Sequence, residues 1–69
     1  MKKKLLIDGM GCAKCVAHVK ETLENINGVI VEDVQVGSAL IDVHENVQDE
    51  VLKDAIYDEG YTVTEIENL

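Results

Sequence analysis

Two helical stretches of this sequence each end near a glycine that is followed by an apolar residue, and each lies between strand-like segments. In the first stretch the apolar residues at helical spacing are Val16, Val19, Leu23 and Ile26. In the second they are Val51, Leu52, Ala55 and Ile56. Asn27-Gly28 and Gly60 suit the left-handed conformation that commonly ends a helix. This repeated pattern restricts the chain to two strand–helix–strand units.

Alternating apolar residues predict the strands. They are Leu5 and Ile7 before the first helix, Val34 and Val36 and then Ile41 and Val43 between the helices, and Tyr61 and Val63 after the second helix. We expect Gly37-Ser38-Ala39 to join the two middle strands as a hairpin, and Asn46 to cap the second helix ahead of Asp49 and Glu50. The order predicts an α+β ferredoxin-like βαββαβ sandwich, in which two helices cover one face of a four-stranded antiparallel sheet.

The length and charge of the chain exclude several classes of function. Sixty-nine residues, which we assign to a single domain 1–69, leave little room for a deep cavity with an independent acid and base, so we expect no enzyme. The formal net charge of −8 and the two aromatic residues argue against binding to nucleic acid or to an anionic membrane surface. A partner with a basic patch fits this charge.

The beginning of the chain resembles neither a secretory signal nor a membrane anchor. The apolar run Leu5-Leu6-Ile7 stops at Asp8, far short of the roughly 7–15 residues of a signal, and no run approaches the roughly 20 residues of a membrane span. We therefore expect a cytoplasmic protein whose thiols stay reduced. Met1 at the start and an end at Leu69, soon after the last predicted strand, favour a free-standing protein.

Chemistry concentrates in one segment, Gly9-Met10-Gly11-Cys12-Ala13-Lys14-Cys15, between the first strand and the first helix. Two thiols separated by two residues at a helix start can turn toward one point. The unpaired N–H groups and the positive end of the helix stabilise thiolates there, and Lys14 adds positive charge. The segment therefore predicts a paired soft-ligand site, suited to a soft metal or to thiol redox exchange.

Several uses of a C-x-x-C motif fit this chain poorly. Haem attachment needs a histidine where Val16 stands, and an iron–sulfur cluster needs four cysteines where the chain has two. A structural zinc site needs a second pair of ligands, which the widely separated His18 and His44 do not form. Thioredoxin-like proteins are longer and have a proline beside their cysteines, and this chain has no proline. Two soft thiolates by themselves favour two-coordinate Cu(I).

The stretch from Gly9 to Val16 resembles the heavy-metal-associated domain family, as do Gly28-Val29 and the late Ala55-Ile56…Gly60-Tyr61-x-Val63. The resemblance spans essentially the whole chain and is greatest to bacterial copper chaperones and to the N-terminal domains of copper-transporting P-type ATPases. It implies the ferredoxin-like fold and one Cu(I) bound by Cys12 and Cys15. It also implies transfer of the metal by ligand exchange to the dithiol of a P-type ATPase domain.

The same resemblance suggests roles for the residues around the cysteines. It implies that Met10 packs in the core and holds the loop, and that Tyr61 lies beside the cysteines, where it covers the metal. Gly11 stands where the family often has Ser, Thr or Asn, so the helix start lacks a capping side chain at a cost of a few tenths of a kcal/mol. Zinc and cadmium exporters tend to have Asp there, so Gly11 favours Cu(I). Glu32 replaces a usual apolar residue and predicts an irregular start to the second strand.

Some alternatives stay open at this point. The chain could be a metal-binding domain cut from a larger transporter, a zinc- or mercury-binding module, or a small thiol-redox protein. His18 is predicted to face solvent, with an auxiliary or dimer-bridging ligand as its alternative role, and we expect a monomer without metal and allow a metal-bridged dimer with it. The acidic residues Glu21, Glu24, Asp58 and Glu59 are predicted to form a docking face for a basic partner.

Overall fold

The computed structural model describes residues 1–11 and 13–69. Within them the elements follow the order predicted from the sequence. They are β1 (Lys2–Asp8), α1 (Ala13–Glu24), β2 (Val29–Gln35), β3 (Ser38–Val43), α2 (Asp49–Asp58) and β4 (Thr62–Asn68). No helix in these two ranges is long and apolar enough to cross a membrane.

The four strands form one antiparallel sheet in the order β2-β3-β1-β4. In β1, Lys3, Leu5 and Ile7 are buried while Lys2 and Lys4 are exposed, so one face of the sheet carries the core. Both helices contribute to the same buried cluster as these strand residues. The predicted ferredoxin-like α+β sandwich, with both helices on one face of the sheet, is therefore confirmed.

The strand β2 contains a bulge at Glu32. Val31 pairs with Ile41 and Asp33 pairs with Leu40, so Glu32 is an extra residue in the ladder. Because the bulge shifts the alternation by one residue, Val31 and Val34 both pack against the core although they are three positions apart. The sequence predicts an irregularity at the start of this strand; the strand instead begins regularly at Val29, and the irregularity at Glu32 lies in its middle.

A second bulge lies in β4 at Thr64, which the sequence does not predict. Ile7 pairs with Val63 and Leu6 pairs with Glu65, which leaves Thr64 without a partner in the ladder. Its Oγ1 donates a hydrogen bond of 3.2 Å to the carbonyl oxygen of Leu6. The bulge allows Val63 and the later Ile66 to pack on the same side of the sheet.

The helix α2 ends as its glycine predicts. The N–H of Tyr61 donates to the carbonyl of Ile56 at 3.2 Å, and the N–H of Gly60 donates to the carbonyl of Tyr57 at 3.0 Å. These two bonds and a φ of 93° at Gly60 form a Schellman motif. The helix α1 instead ends at Glu24, and Gly28, with a φ of 89°, lies in the turn that leads into β2.

The start of α2 corrects one prediction. The N-cap residue is Gln48 rather than Asn46, and its side chain makes no capping hydrogen bond. Residues 44–47 form a separate turn in which the N–H of Val47 bonds to the carbonyl of His44, so the helix begins after that turn. Asp49 and Glu50 lie in the first turn, as predicted.

Two apolar residues assigned to the buried pattern are exposed. Val36, at 58% exposure, belongs to a two-residue turn with Gly37, because the chain reverses there at a φ of 88° that glycine adopts easily. The turn is therefore Val36-Gly37, and Ser38 already belongs to β3. Val51, at 46% exposure, lies toward the solvent side of α2 because the neighbouring Leu52 and Ile56 are the residues that enter the core.

Candidate metal centre

Cys15 is the third residue of α1 and is half-buried at the end of the sheet where β1 finishes. Its side chain packs against the hydrophobic core, and no acidic residue lies in the first turn of this helix. The N–H groups of that turn and the positive end of the helix dipole stabilise a thiolate at this position. Cys12, predicted as the second ligand, lies outside the described residues.

The loop before Cys15 is held against the hydrophobic core by Met10. Met10 is 8% exposed and belongs to the core cluster against which Cys15 packs. Its burial agrees with the sequence-based expectation. Gly11 is exposed, and a Cβ added there would meet no atom within 4 Å. The helix α1 begins at Ala13, and the capping predicted to be missing at Gly11 concerns a helix start that includes residue 12, which lies outside the described residues.

Tyr61 lies beside this loop, as the resemblance implied. Its Cδ1 is 3.6 Å from the position that a Cβ on Gly9 would take, and Gly9 has a φ of 95°. The ring is half-buried and packs against the core. The Schellman motif at the end of α2 turns the chain so that Tyr61 returns to the end of β1. The tyrosine therefore flanks the loop that carries the C-x-x-C motif.

His18 contributes a contact that the sequence does not predict. It lies one helical turn after Cys15, and its Nε2 is 2.7 Å from Oε2 of Glu59, the C-cap residue of α2. The His18 ring also meets the Tyr61 ring edge to face, with centroids 6.2 Å apart and an interplanar angle of 86°. The side chain is 49% exposed, in agreement with the predicted solvent-facing position. Glu59 is 41 positions away in sequence from His18, so only the tertiary fold brings the two together.

The remaining candidate residues lie apart from these contacts or at the surface. Lys14 is exposed on α1, next to Cys15 in the chain. His44 follows β3 at the opposite end of the sheet, because β1 and β3 are antiparallel and Lys2 pairs with Asp42. In residues 1–11 and 13–69, no three His, Cys, Asp or Glu side chains are grouped so that they could hold a metal ion.

The structure thus combines a ferredoxin-like sandwich with a cysteine in the first turn of the helix that follows β1. The heavy-metal-associated domain family matches residues 4–62, and the chain belongs to this family. Among curated proteins, the copper chaperone CopZ of Staphylococcus aureus is 36% identical over 67 residues. That match covers 91% of this chain and 98% of the relative.

Solved structures give the same result. A structure described as the CopZ metallochaperone matches with a TM-score of 0.81 and 31% identity, covering 93% of this chain and all of the other. A copper-binding domain from HMA7, a P-type ATPase, matches with a TM-score of 0.81 and 34% identity, covering 100% of this chain and 95% of that domain. The chain is thus similar both to a free chaperone and to a transporter domain.

Proposed function

We propose that this protein is a copper chaperone that binds one Cu(I) through Cys12 and Cys15 and delivers it to a copper-transporting P-type ATPase. The observation that carries the proposal is the Cys15 thiol, half-buried in the first turn of α1, as the second cysteine of a C-x-x-C motif. Two thiolates favour Cu(I) over harder metals because soft sulfur ligands suit it and two of them satisfy its coordination. Copper is the cargo of the protein in this proposal, and no reaction is catalysed on a substrate.

Four residues around the cysteines have supporting roles in the proposal. Met10 holds the loop in the core, and the exposed Gly11 leaves the approach to the site open. Lys14 offsets the net charge of −1 that two thiolates and one Cu(I) carry together. Tyr61, which lies against Gly9, covers one side of the loop.

Transfer proceeds by exchange of thiolates without oxidation or reduction. An incoming cysteine thiolate of the acceptor forms a bond to Cu(I) and gives a three-coordinate intermediate, after which one of the original thiolates leaves. A second exchange completes the transfer, and copper stays Cu(I) throughout. This chemistry needs reduced thiols, which is why we place the protein in the cytoplasm.

The surface charge supports a protein partner with a basic face. The chain carries a net charge of −8, and Glu21, Glu24, Asp58 and Glu59 are all exposed on or beside the two helices. Opposite charges accelerate encounter and orient weakly bound partners, and the same charge disfavours nucleic acid and membrane insertion. The similarity to a P-type ATPase copper domain supports an acceptor of that class. We expect a monomer without metal and allow a metal-bridged dimer with it.

The test is an anaerobic Cu(I) titration against a chromogenic competitor, repeated for Cys12→Ala and Cys15→Ala. The matched control is His44→Ala. This variant removes a histidine, which is a residue type able to bind metal, but at the opposite end of the sheet from the proposed site. We expect one tightly bound Cu(I) per chain in the wild type and in the control, loss in both cysteine variants, and no displacement by zinc. The same assay with mercury, and a turnover assay with a disulfide substrate, address the metal-module and redox alternatives.

Retention of Cu(I) in either cysteine variant would overturn the proposed site. Tighter binding of zinc than of Cu(I) would show that the protein is a zinc-binding module and not a copper chaperone. Turnover of the disulfide substrate without metal would show that it is a thiol-redox protein. Whether the chain acts alone or as part of a transporter is decided by the length of the protein detected in cell extracts.

A further inference from the structure

His18 and Glu59 connect the helix that carries Cys15 to the end of α2. The 2.7 Å contact between His18 Nε2 and Glu59 Oε2 joins the second turn of α1 to the C-cap of α2. The sheet and the core do not need this contact, because both side chains are more than one-third exposed. A structural role in the core is therefore a poor explanation for it.

The His18 ring, which contacts Glu59, also contacts the ring of Tyr61. On one side the ring lies against Gly9, and on another it meets the His18 ring edge to face at 6.2 Å. The backbone of Tyr61 is held by its N–H bond to Ile56 in the Schellman motif, in which Glu59 and Gly60 are the preceding residues. The His18 ring therefore adds a contact that restrains the tyrosine side chain beside the loop.

We propose that His18 and Glu59 are positioning residues that hold the Tyr61 ring against the metal-binding loop and so slow the approach of small competing ligands to bound Cu(I). This inference rests on the proposed function. The Glu59 carboxylate, 2.7 Å from Nε2, holds the imidazole in place, and the imidazole in turn restrains the tyrosine ring. The large surface of a protein partner can displace the ring, whereas a small chelator must wait for the ring to move. The contact thereby favours transfer to a partner over loss to small ligands.

The first experiment measures the position of Tyr61 without any metal. The chain has no tryptophan and two tyrosines, so Tyr57→Phe leaves Tyr61 as the fluorescent residue. In this background we compare acrylamide quenching for His18→Ala, Glu59→Ala and Glu59→Gln. We expect the quenching constant to rise about two-fold in both alanine variants, since an exposed contact restrains a side chain by a factor of this order. Glu59→Gln keeps the length of the side chain and a polar oxygen that can lie beside His18 Nε2, and should restore most of the protection.

The second experiment measures the release of Cu(I) from the loaded protein to bathocuproine disulfonate in a stopped-flow instrument. We expect release about two- to five-fold faster in His18→Ala and Glu59→Ala, with no further increase in the double variant, because both act through one contact. In a Tyr61→Ala background, His18→Ala should add nothing. The matched control is Glu32→Ala, which removes the exposed Lys2–Glu32 ion pair of 3.5 Å and the same single charge.

Unchanged quenching in both alanine variants would overturn the positioning role. Unchanged release would overturn the effect on copper, and so would release that rises equally in the Glu32→Ala control. If the wild type takes up no Cu(I), the proposed function fails by that result alone, and the quenching comparison still decides whether His18 and Glu59 hold Tyr61.

Discussion

The ammonium group of Lys3 and the carboxylate of Asp49 form an ion pair that joins β1 to the first turn of α2. Lys3 lies on the core face of the sheet and is 7% exposed, whereas the side chain of Asp49 is 44% exposed. The two partners therefore differ in desolvation: the lysine is removed from water, whereas the aspartate still lies largely in contact with it. Asp49 also lies at the positive end of the helix dipole.

This asymmetry predicts that the two partners respond differently to substitution. Asp49→Asn leaves a buried ammonium without its anionic partner and should lower the free energy of unfolding by about 1–3 kcal/mol. Lys3→Met replaces the buried charge with an apolar chain of similar length and should cost less than about 1 kcal/mol. Urea denaturation measures both, with Lys4→Met on the exposed face as the control. A greater loss for Lys3→Met than for Asp49→Asn would contradict the explanation.

Neighbouring residues of α2 offer a test of the core. Leu52 is fully buried and Val51 is 46% exposed. Leu52→Ala should cost about 2–5 kcal/mol through lost contacts and a cavity, a large share of the stability of so small a domain. Val51→Ala should cost less than about 1 kcal/mol, since the side chain is already half in water. Thermal unfolding followed by circular dichroism compares the two, and equal melting temperatures would show that the assigned inner face of α2 is wrong.

Two left-handed glycines differ in the space around them. A Cβ on Gly28 would lie 2.9 Å from Val47 Cγ2 and 3.2 Å from His44 Cβ, whereas a Cβ on Gly60 meets nothing within 4 Å. Both substitutions to alanine carry the left-handed cost of about 1–2 kcal/mol. Gly28→Ala should lose about 1–3 kcal/mol more because the neighbours must shift. The difference between the two urea midpoints isolates this steric effect, and a Gly60→Ala variant as unstable as Gly28→Ala would refute it.

The acidic docking face makes a prediction about transfer. Under the proposed function, Glu21→Lys combined with Glu24→Lys should slow Cu(I) transfer to a basic P-type ATPase domain by about ten-fold at low salt. The difference should shrink as salt screens the charges. The matched control reverses the charges of Glu65 and Glu67 in β4, which changes the net charge equally. Equal transfer rates for both double variants at low salt would remove the docking face from the proposal.

Most of the fold could be predicted because it depends on local patterns. The order of elements and the left-handed Gly60 follow from spacing, and the unexpected charge of Glu32 indicates an irregularity in the second strand, although not that it is a bulge in the middle of that strand. The bulge at Thr64 was not predicted, since threonine is common in regular strands and nothing in its neighbours indicates an extra residue. The error at Asn46 has a similar origin, because both Asn46 and Gln48 are polar and a tertiary turn decides which one precedes the helix.

Part of the candidate site could likewise be predicted from the sequence, and part could not. The C-x-x-C motif and the core position of Met10 follow from the sequence and the family resemblance, and Cys15 does lie at the start of α1. The contact between His18 and Glu59 joins two helices and could not be found from spacing. The burial of Lys3 was also missed, although its alternation with Leu5 and Ile7 was a signal that it faces inward.

The two bulges lie on the two outer strands, β2 and β4, while the inner pair β1 and β3 has a regular ladder. An outer strand with a regular backbone is a template on which another chain can add a strand, and bulges and charged side chains prevent this. Glu32 and Asp33 supply such charges at one edge, and Glu65 and Glu67 supply them at the other. Both open edges of the sheet therefore carry features that oppose the edge-to-edge growth of open-ended aggregates.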